Sequence, residues 1–125
     1  MILDTCALLW LATGSKRLSR AAIKAISEAP AVHVSAISGF EIALKVRSGK
    51  LELPCPVTSW FEQAVEHHGL AVLSLELDAC IAAADLPAIH DDPFDRFIIA
   101  SAKLHNLTVV TADEHFREYG LTVIC

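Results

Sequence analysis

Asp92-Pro93-Phe94-Asp95-Arg96-Phe97-Ile98-Ile99-Ala100-Ser101-Ala102-Lys103-Leu104-His105-Asn106-Leu107-Thr108-Val109-Val110-Thr111-Ala112-Asp113 is the stretch that decides the fold of this chain. Asp92 reads as an N-cap, and Pro93 stands at the first helical position, where a missing N–H is no loss. Asp95 falls at the third position, where a negative charge suits the helix dipole. The apolar residues that follow predict a helix over 93–105. Leu107–Thr111 then reads as a strand, closed by Asp113. A helix feeding a strand, with an acid at the helix start and another past the strand end, is the working unit of an α/β fold.

Outward from this unit the pattern repeats. Short apolar runs predict strands at 1–4, 32–34, 71–73 and 121–124. Between them, helical spacing and stop signals predict helices at 6–12, 19–29, 37 to about 45, 58–68, 76–86 and 114–119. Ser19 is the expected N-cap of the second and Pro30 its stop. In the third, Phe40, Ala43 and Leu44 are expected to face inward. Strands alternating with helices imply right-handed crossovers and a parallel sheet covered on both faces. The expectation is a three-layer α/β/α domain spanning 1–125, around a central parallel sheet of four to five strands.

Four acids stand at equivalent places in that scheme. Asp4 and Asp113 follow strand-like runs, and Glu41 and Asp95 lie in the first turns of apolar helices. In a parallel α/β sheet these places share one edge, the edge where ligands bind. Each acid also has a plainer reading. Ser38-Gly39-Phe40-Glu41 fits a capping box, and Asp4, Asp92 and Asp113 could each cap a helix. A cap needs only its own helix, whereas these lie on separate connections that the fold brings together. Carboxylates gathered at one edge repel, and a divalent cation relieves that. Oxygen ligands select Mg²⁺ or Mn²⁺ over zinc. Such an ion lowers the pKa of a bound water and steadies charge on a departing oxygen, which suits phosphoryl chemistry.

The bulk properties set bounds. The chain has 125 residues, 54% of them hydrophobic, which excludes disorder. So much apolar surface exceeds what a small domain hides alone, so an oligomer or a tight partner is expected. A net charge of −5 with no basic tail argues against electrostatic capture of duplex nucleic acid, less so if metal neutralises several acids. Cys6, Cys55, Cys80 and Cys125 lack C-x-x-C spacing, so neither a zinc site nor a disulfide framework is expected. No run approaches the ~20 apolar residues of a membrane span, and no basic region precedes the apolar start. The expectation is a cytoplasmic protein with no membrane contact.

The residues now on the page resemble the PIN-domain ribonucleases, and among them the VapC-type toxins of toxin–antitoxin pairs. The resemblance runs through Leu3-Asp4-Thr5-Cys6-Ala7-Leu8-Leu9-Trp10 and through Ser35 to Lys45 with its continuation to Leu51. It is most specific in His90 to Ala102, and ends at Thr111-Ala112-Asp113. It implies a Mg²⁺- or Mn²⁺-dependent endoribonuclease that hydrolyses RNA phosphodiester bonds, with Asp4, Glu41, Asp95 and Asp113 as metal-binding acids. Asp113 would complete the set or bridge a second ion. A homodimer and a cognate antitoxin are implied as partners. A groove among the helices of residues 19–29 and 37–68, with Leu18, Ile26, Leu51, Trp60 and Phe61, is the expected antitoxin seat.

Other residues were weighed beside these. Thr5 and Thr111 are expected to orient a carboxylate or a water behind the ligands. Asp92 is expected to cap. Arg96 is expected to pair with an acid, or else hold a phosphate. Lys45, Arg47 and Lys50 are either a solvated helix face or a contact to the RNA backbone. His90 is a weaker candidate for a substrate contact, and Trp10, Phe40, Trp60 and Phe61 are expected in core or interface. Two rival readings stand. One is a PIN fold that has lost activity and serves as a binding module. The other is a receiver-like or dehalogenase-like phosphotransfer domain. Against the latter, Asp4-Thr5-Cys6 is not D-x-D, and the receiver's early acid pair and late lysine are missing.

Overall fold

A computed structural model describes the whole chain, residues 1–125. Five short strands form one sheet: β1 (Ile2–Leu3), β2 (His33–Ser35), β3 (Ala71–Leu73), β4 (Val109–Val110) and β5 (Val123–Ile124). Their order is β3-β2-β1-β4-β5, and every pairing is parallel. Parallel neighbours need long crossovers. These are supplied by helices α1 (Thr5–Thr13), α2 (Arg20–Glu28), α3 (Ala36–Arg47), α4 (Val57–His68), α5 (Leu77–Asp85) and α6 (Pro93–His105), with a 3-10 helix at Glu114–Tyr119. The expected three-layer α/β/α architecture is the one observed.

Alternation along the strands divides the core in two. Leu3, Val34 and Val110 pack with Ala7 and Leu8 of α1, Ala22 of α2, Ile42 of α3 and Trp60 of α4. Ile2, Val109 and Val123 point the other way, against Ile98, Ile99 and Ala102 of α6 and against Phe116 and Tyr119. Covered on both faces, the central strands read as unbroken apolar pairs rather than as alternating ones. β1 is the middle strand. The chain lays β2 and β3 on one side of it, then returns to lay β4 and β5 on the other. The crevice at the carboxyl ends of β1 and β4 is therefore the topological switch point of the sheet.

Helix α6 has the bounds its sequence predicts, and Asn106, in the left-handed region at φ 54°, ends it. Leu107 is drawn into that turn, its N–H donating to the Ala102 carbonyl, so β4 is shorter than the apolar run suggests. Helix α3 departs from expectation. β2 runs straight into it, and Ser35 is the cap, its Oγ accepting from the Ile37 N–H. The capping box of Ser38 and Glu41 does not form. The buried face of α3 is Ile37, Ser38, Glu41 and Ile42, while Phe40 is 56% and Leu44 40% exposed. The phase expected from apolar spacing is wrong because this helix buries two polar residues.

Candidate metal centre

Asp4 leaves β1 with its backbone N–H on the Val110 carbonyl of β4. Its Oδ1 accepts from the Ala7 N–H at 2.7 Å and so caps α1. Its Oδ2 accepts from the Thr111 hydroxyl at 2.5 Å. The Thr111 Oγ1 also accepts from the Asp113 N–H, so one buried hydroxyl orients the acids at the ends of both strands. Each Asp4 oxygen keeps a second lone pair free. Thr5, the other expected helper, does not touch an acid. Its Oγ1 meets the Ser38 Oγ at 2.9 Å and ties the starts of α1 and α3 together. Ser38 is fully buried in this role, which its sequence position does not announce.

Glu41 is 8% exposed. Its Oε2 pairs with Lys45 Nζ at 3.1 Å, one helical turn on. Its Oε1 is buried and has no hydrogen-bond partner at all. An unsatisfied buried polar atom costs about 1–3 kcal/mol, more when charged, so this oxygen lacks a donor or an ion.

Asp92 caps α6, its Oδ1 accepting from the N–H groups of Phe94 and Asp95. Asp95 is left facing the strand ends. Asp113 caps the 3-10 helix with Oδ1, which also meets the His115 ring at 2.9 Å. Its Oδ2 points instead to His90. The His90 Nε2 lies 2.8 Å from that oxygen and 3.0 Å from Asp95 Oδ2. These three residues alone have ligand atoms close enough to share one ion as they stand. His90 is the functional-site residue the sequence undervalues.

The charges report the crowding. Burial, then Asp92, Asp4 and Glu41, push the Asp95 carboxyl up to about 7, against the pull of His90. Burial also raises Asp4, although its bonds from Thr111 and Ala7 oppose this and Glu41 and Asp113 add to it. Burial would raise Asp113 too, but hydrogen bonds from His115 and His90 outweigh it and hold this carboxyl low. All four acids of the quartet therefore meet in one field. The residues fit a hard divalent cation. The donors are carboxylate oxygens, one of them orphaned and buried, and Asp95 is destabilised as an anion by burial and by Asp92, Asp4 and Glu41.

The remaining residues fall outside the cluster. Arg96 makes no ion pair. Its Nε donates to the Ala83 carbonyl, its Nη1 to Pro87 and His90, and its Nη2 to Ala84 and Leu86. It binds the end of α5 and the following loop, where five carbonyls lie within its reach. Leu18 and Trp60, expected to line an antitoxin groove, belong to the buried core, although Trp60 also floors a cavity with Pro54, Gln63 and His67. Phe40 is on the surface, edge-on to Phe94 at 5.8 Å.

The structure is thus a parallel α/β/α sheet with crowded acids at its switch point. The PIN domain family model matches residues 1–121, and the chain belongs to that family. It is 34% identical over 120 residues to Ribonuclease VapC22 of Mycobacterium tuberculosis (strain ATCC 25618 / H37Rv), covering 95% of this chain and 91% of the relative. Among solved structures it superposes on VapBC2 from Rickettsia felis bound to a DNA fragment from their promoter. The TM-score is 0.72 at 14% identity, over 98% of this chain and 96% of that one. It also superposes on FitAcB from Neisseria gonorrhoeae, with TM-score 0.67 at 21% identity, over 99% and 96%. At these identities the two structures speak for the fold.

Proposed function

We propose that this chain is a Mg²⁺- or Mn²⁺-dependent endoribonuclease and the toxin of a toxin–antitoxin pair. The observation that carries the reading is the convergence of Asp4, Glu41, Asp95 and Asp113 at the switch point, with Glu41 Oε1 buried and unpartnered. These four acids would hold the metal. The metal supplies activation of a water nucleophile and neutralises charge on the phosphodiester. The chain's own residues fix the donors. Thr111 and the Ala7 N–H set both oxygens of Asp4, and the cap made by Asp92 orients the first turn that carries Asp95.

Lys45 and Lys50 border a cleft beside Glu41, with Phe94 on the far wall. They suit the RNA backbone, which arrives with the positive charge requirement that the acid cluster cannot meet. The resemblance to VapC-type toxins supports a cognate antitoxin, and the partly buried Phe61 and Leu51 remain as anchors for it. An inactive binding module is the weaker reading, since all four acids are present and brought together. The test is cleavage of a structured RNA with Mg²⁺ or Mn²⁺ added. Asp4→Asn and Asp95→Asn should each abolish it with the fold preserved. Cleavage that survives both substitutions, or full activity in EDTA, rejects the assignment.

A further inference from the structure

We infer that His90 is a positioning residue of this centre, a ring locked as a hydrogen-bond donor that anchors Asp113 beside Asp95. The inference rests on the metal-centre reading above and assigns a residue that reading does not use.

The lock is in the second nitrogen. His90 Nδ1 lies 3.2 Å from the Asp92 backbone nitrogen and accepts its N–H. A backbone N–H can only donate, so a proton on Nδ1 would set two donors face to face. The ring proton therefore sits on Nε2. There it donates to Asp113 Oδ2 at 2.8 Å, while Asp95 Oδ2 lies 3.0 Å from the same nitrogen, in contact but off the line of that bond. A protonated Nε2 has no lone pair for an ion. His90 serves the acids from behind rather than joining them as a ligand.

The ring is also held in place. The His90 N–H donates to the Tyr119 hydroxyl at 2.8 Å, and that hydroxyl donates to the Pro87 carbonyl. The His90 carbonyl accepts from Arg96. Phe116 stands edge-on to the ring at 6.2 Å. Its placement is thus fixed by a loop bound at both ends. The need for such a device is visible in its two partners. Asp95 comes from the first turn of α6 and Asp113 from beyond β4, no hydrogen bond joins their side chains, and the His90 Nε2 is the atom in reach of both. Two carboxyl groups on separate elements repel when both are ionised, and a ring bonded to one and touching the other sets their spacing.

The test is Mn²⁺ binding to the full chain, by calorimetry and by electron paramagnetic resonance. Glutamine can place an amide N–H where Nε2 stands, whereas asparagine can place one only where Nδ1 stands. His90→Ala and His90→Asn should weaken Mn²⁺ binding about tenfold or more, and His90→Gln should return it to within about threefold of the parent. Long-range nitrogen–proton correlation spectra of the ion-free chain should show the proton on Nε2, and the Mn²⁺ form should show no directly bound ring nitrogen. Three results overturn the inference alone. These are a proton on Nδ1, a ring nitrogen coordinated to Mn²⁺, or folded Ala and Gln variants that bind Mn²⁺ equally well. A parent chain that binds no Mn²⁺ removes the metal reading, and this inference falls with it.

Discussion

Asp95 occupies the least hospitable place for a charge in this chain, and its carboxyl sits at about 7 in the folded state against about 4 in an unfolded one. Between those values the folded chain holds a proton that the unfolded chain has lost. Stability of the ion-free protein therefore falls as pH rises from about 4 to about 7, and the contribution is gone above 7. Asp95→Asn should consequently stabilise the ion-free protein at pH 8 by about 1–2 kcal/mol, a figure reduced for solvent screening. The gain should vanish near pH 4. Urea unfolding across that range checks both ends. Below about 7 an incoming Mn²⁺ must also displace this proton, so its affinity should drop by up to ~tenfold per pH unit, and an affinity that stays flat from pH 8 to 5 contradicts the assignment. The acids themselves are legible in the sequence because each follows a strand or opens a helix. Whether such an acid caps or waits for a ligand is not legible. Asp113 caps with one oxygen, at His115, and bonds His90 with the other, and a sequence does not resolve two oxygens. His90 is hidden for a different reason: its partners come from another helix start and from beyond a distant strand.

Helix α3 shows where periodicity misleads. Its apolar residues Phe40 and Leu44 are exposed because Ser38 and Glu41 take the inner face, Ser38 against Thr5 and Glu41 toward the acid cluster. A pattern built on apolar burial cannot anticipate polar residues buried for a site. Helix α6 was legible to the residue, since Asp92-Pro93 and Asn106 mark its ends by local chemistry alone. What α6 does for α5 was not. Arg96 gathers carbonyls from residues 83 to 90, and only the folded arrangement puts them in reach. Arg96→Met should leave several of them without donors and lower stability by about 2–4 kcal/mol. Arg96→Lys should recover little, because an ammonium cannot meet a fan of acceptors as a guanidinium does. Chemical denaturation measures both, and a methionine variant within 0.5 kcal/mol of the parent, the range of ordinary surface substitutions, rules this role out.

At the scale of the molecule, apolar side chains remain uncovered. Leu77 is 72% exposed, and Val72, Leu75 and Ile81 around it are also open to solvent. They belong to the edge strand β3, to α5 and to the turn between them. A homodimer covering them is expected, with Leu77→Asp shifting the mass by light scattering from dimer to monomer at tens of micromolar. A parent chain already monomeric there counts against it. The surplus was readable from composition, but its location was not, because composition carries no address. The central position of β1 has a consequence in time. Asp4 reaches its place only when Thr111, 107 residues later, donates to it, and β1 has no β4 to pair with before then. At a synthesis rate of about 5–20 residues per second, the first acid waits several seconds on the ribosome for the last. A nascent chain thus lacks the assembled acid cluster until β4 and Thr111 have been made. Any fragment that ends before β4 lacks the strand and the hydroxyl that set Asp4, so it cannot assemble the acid cluster.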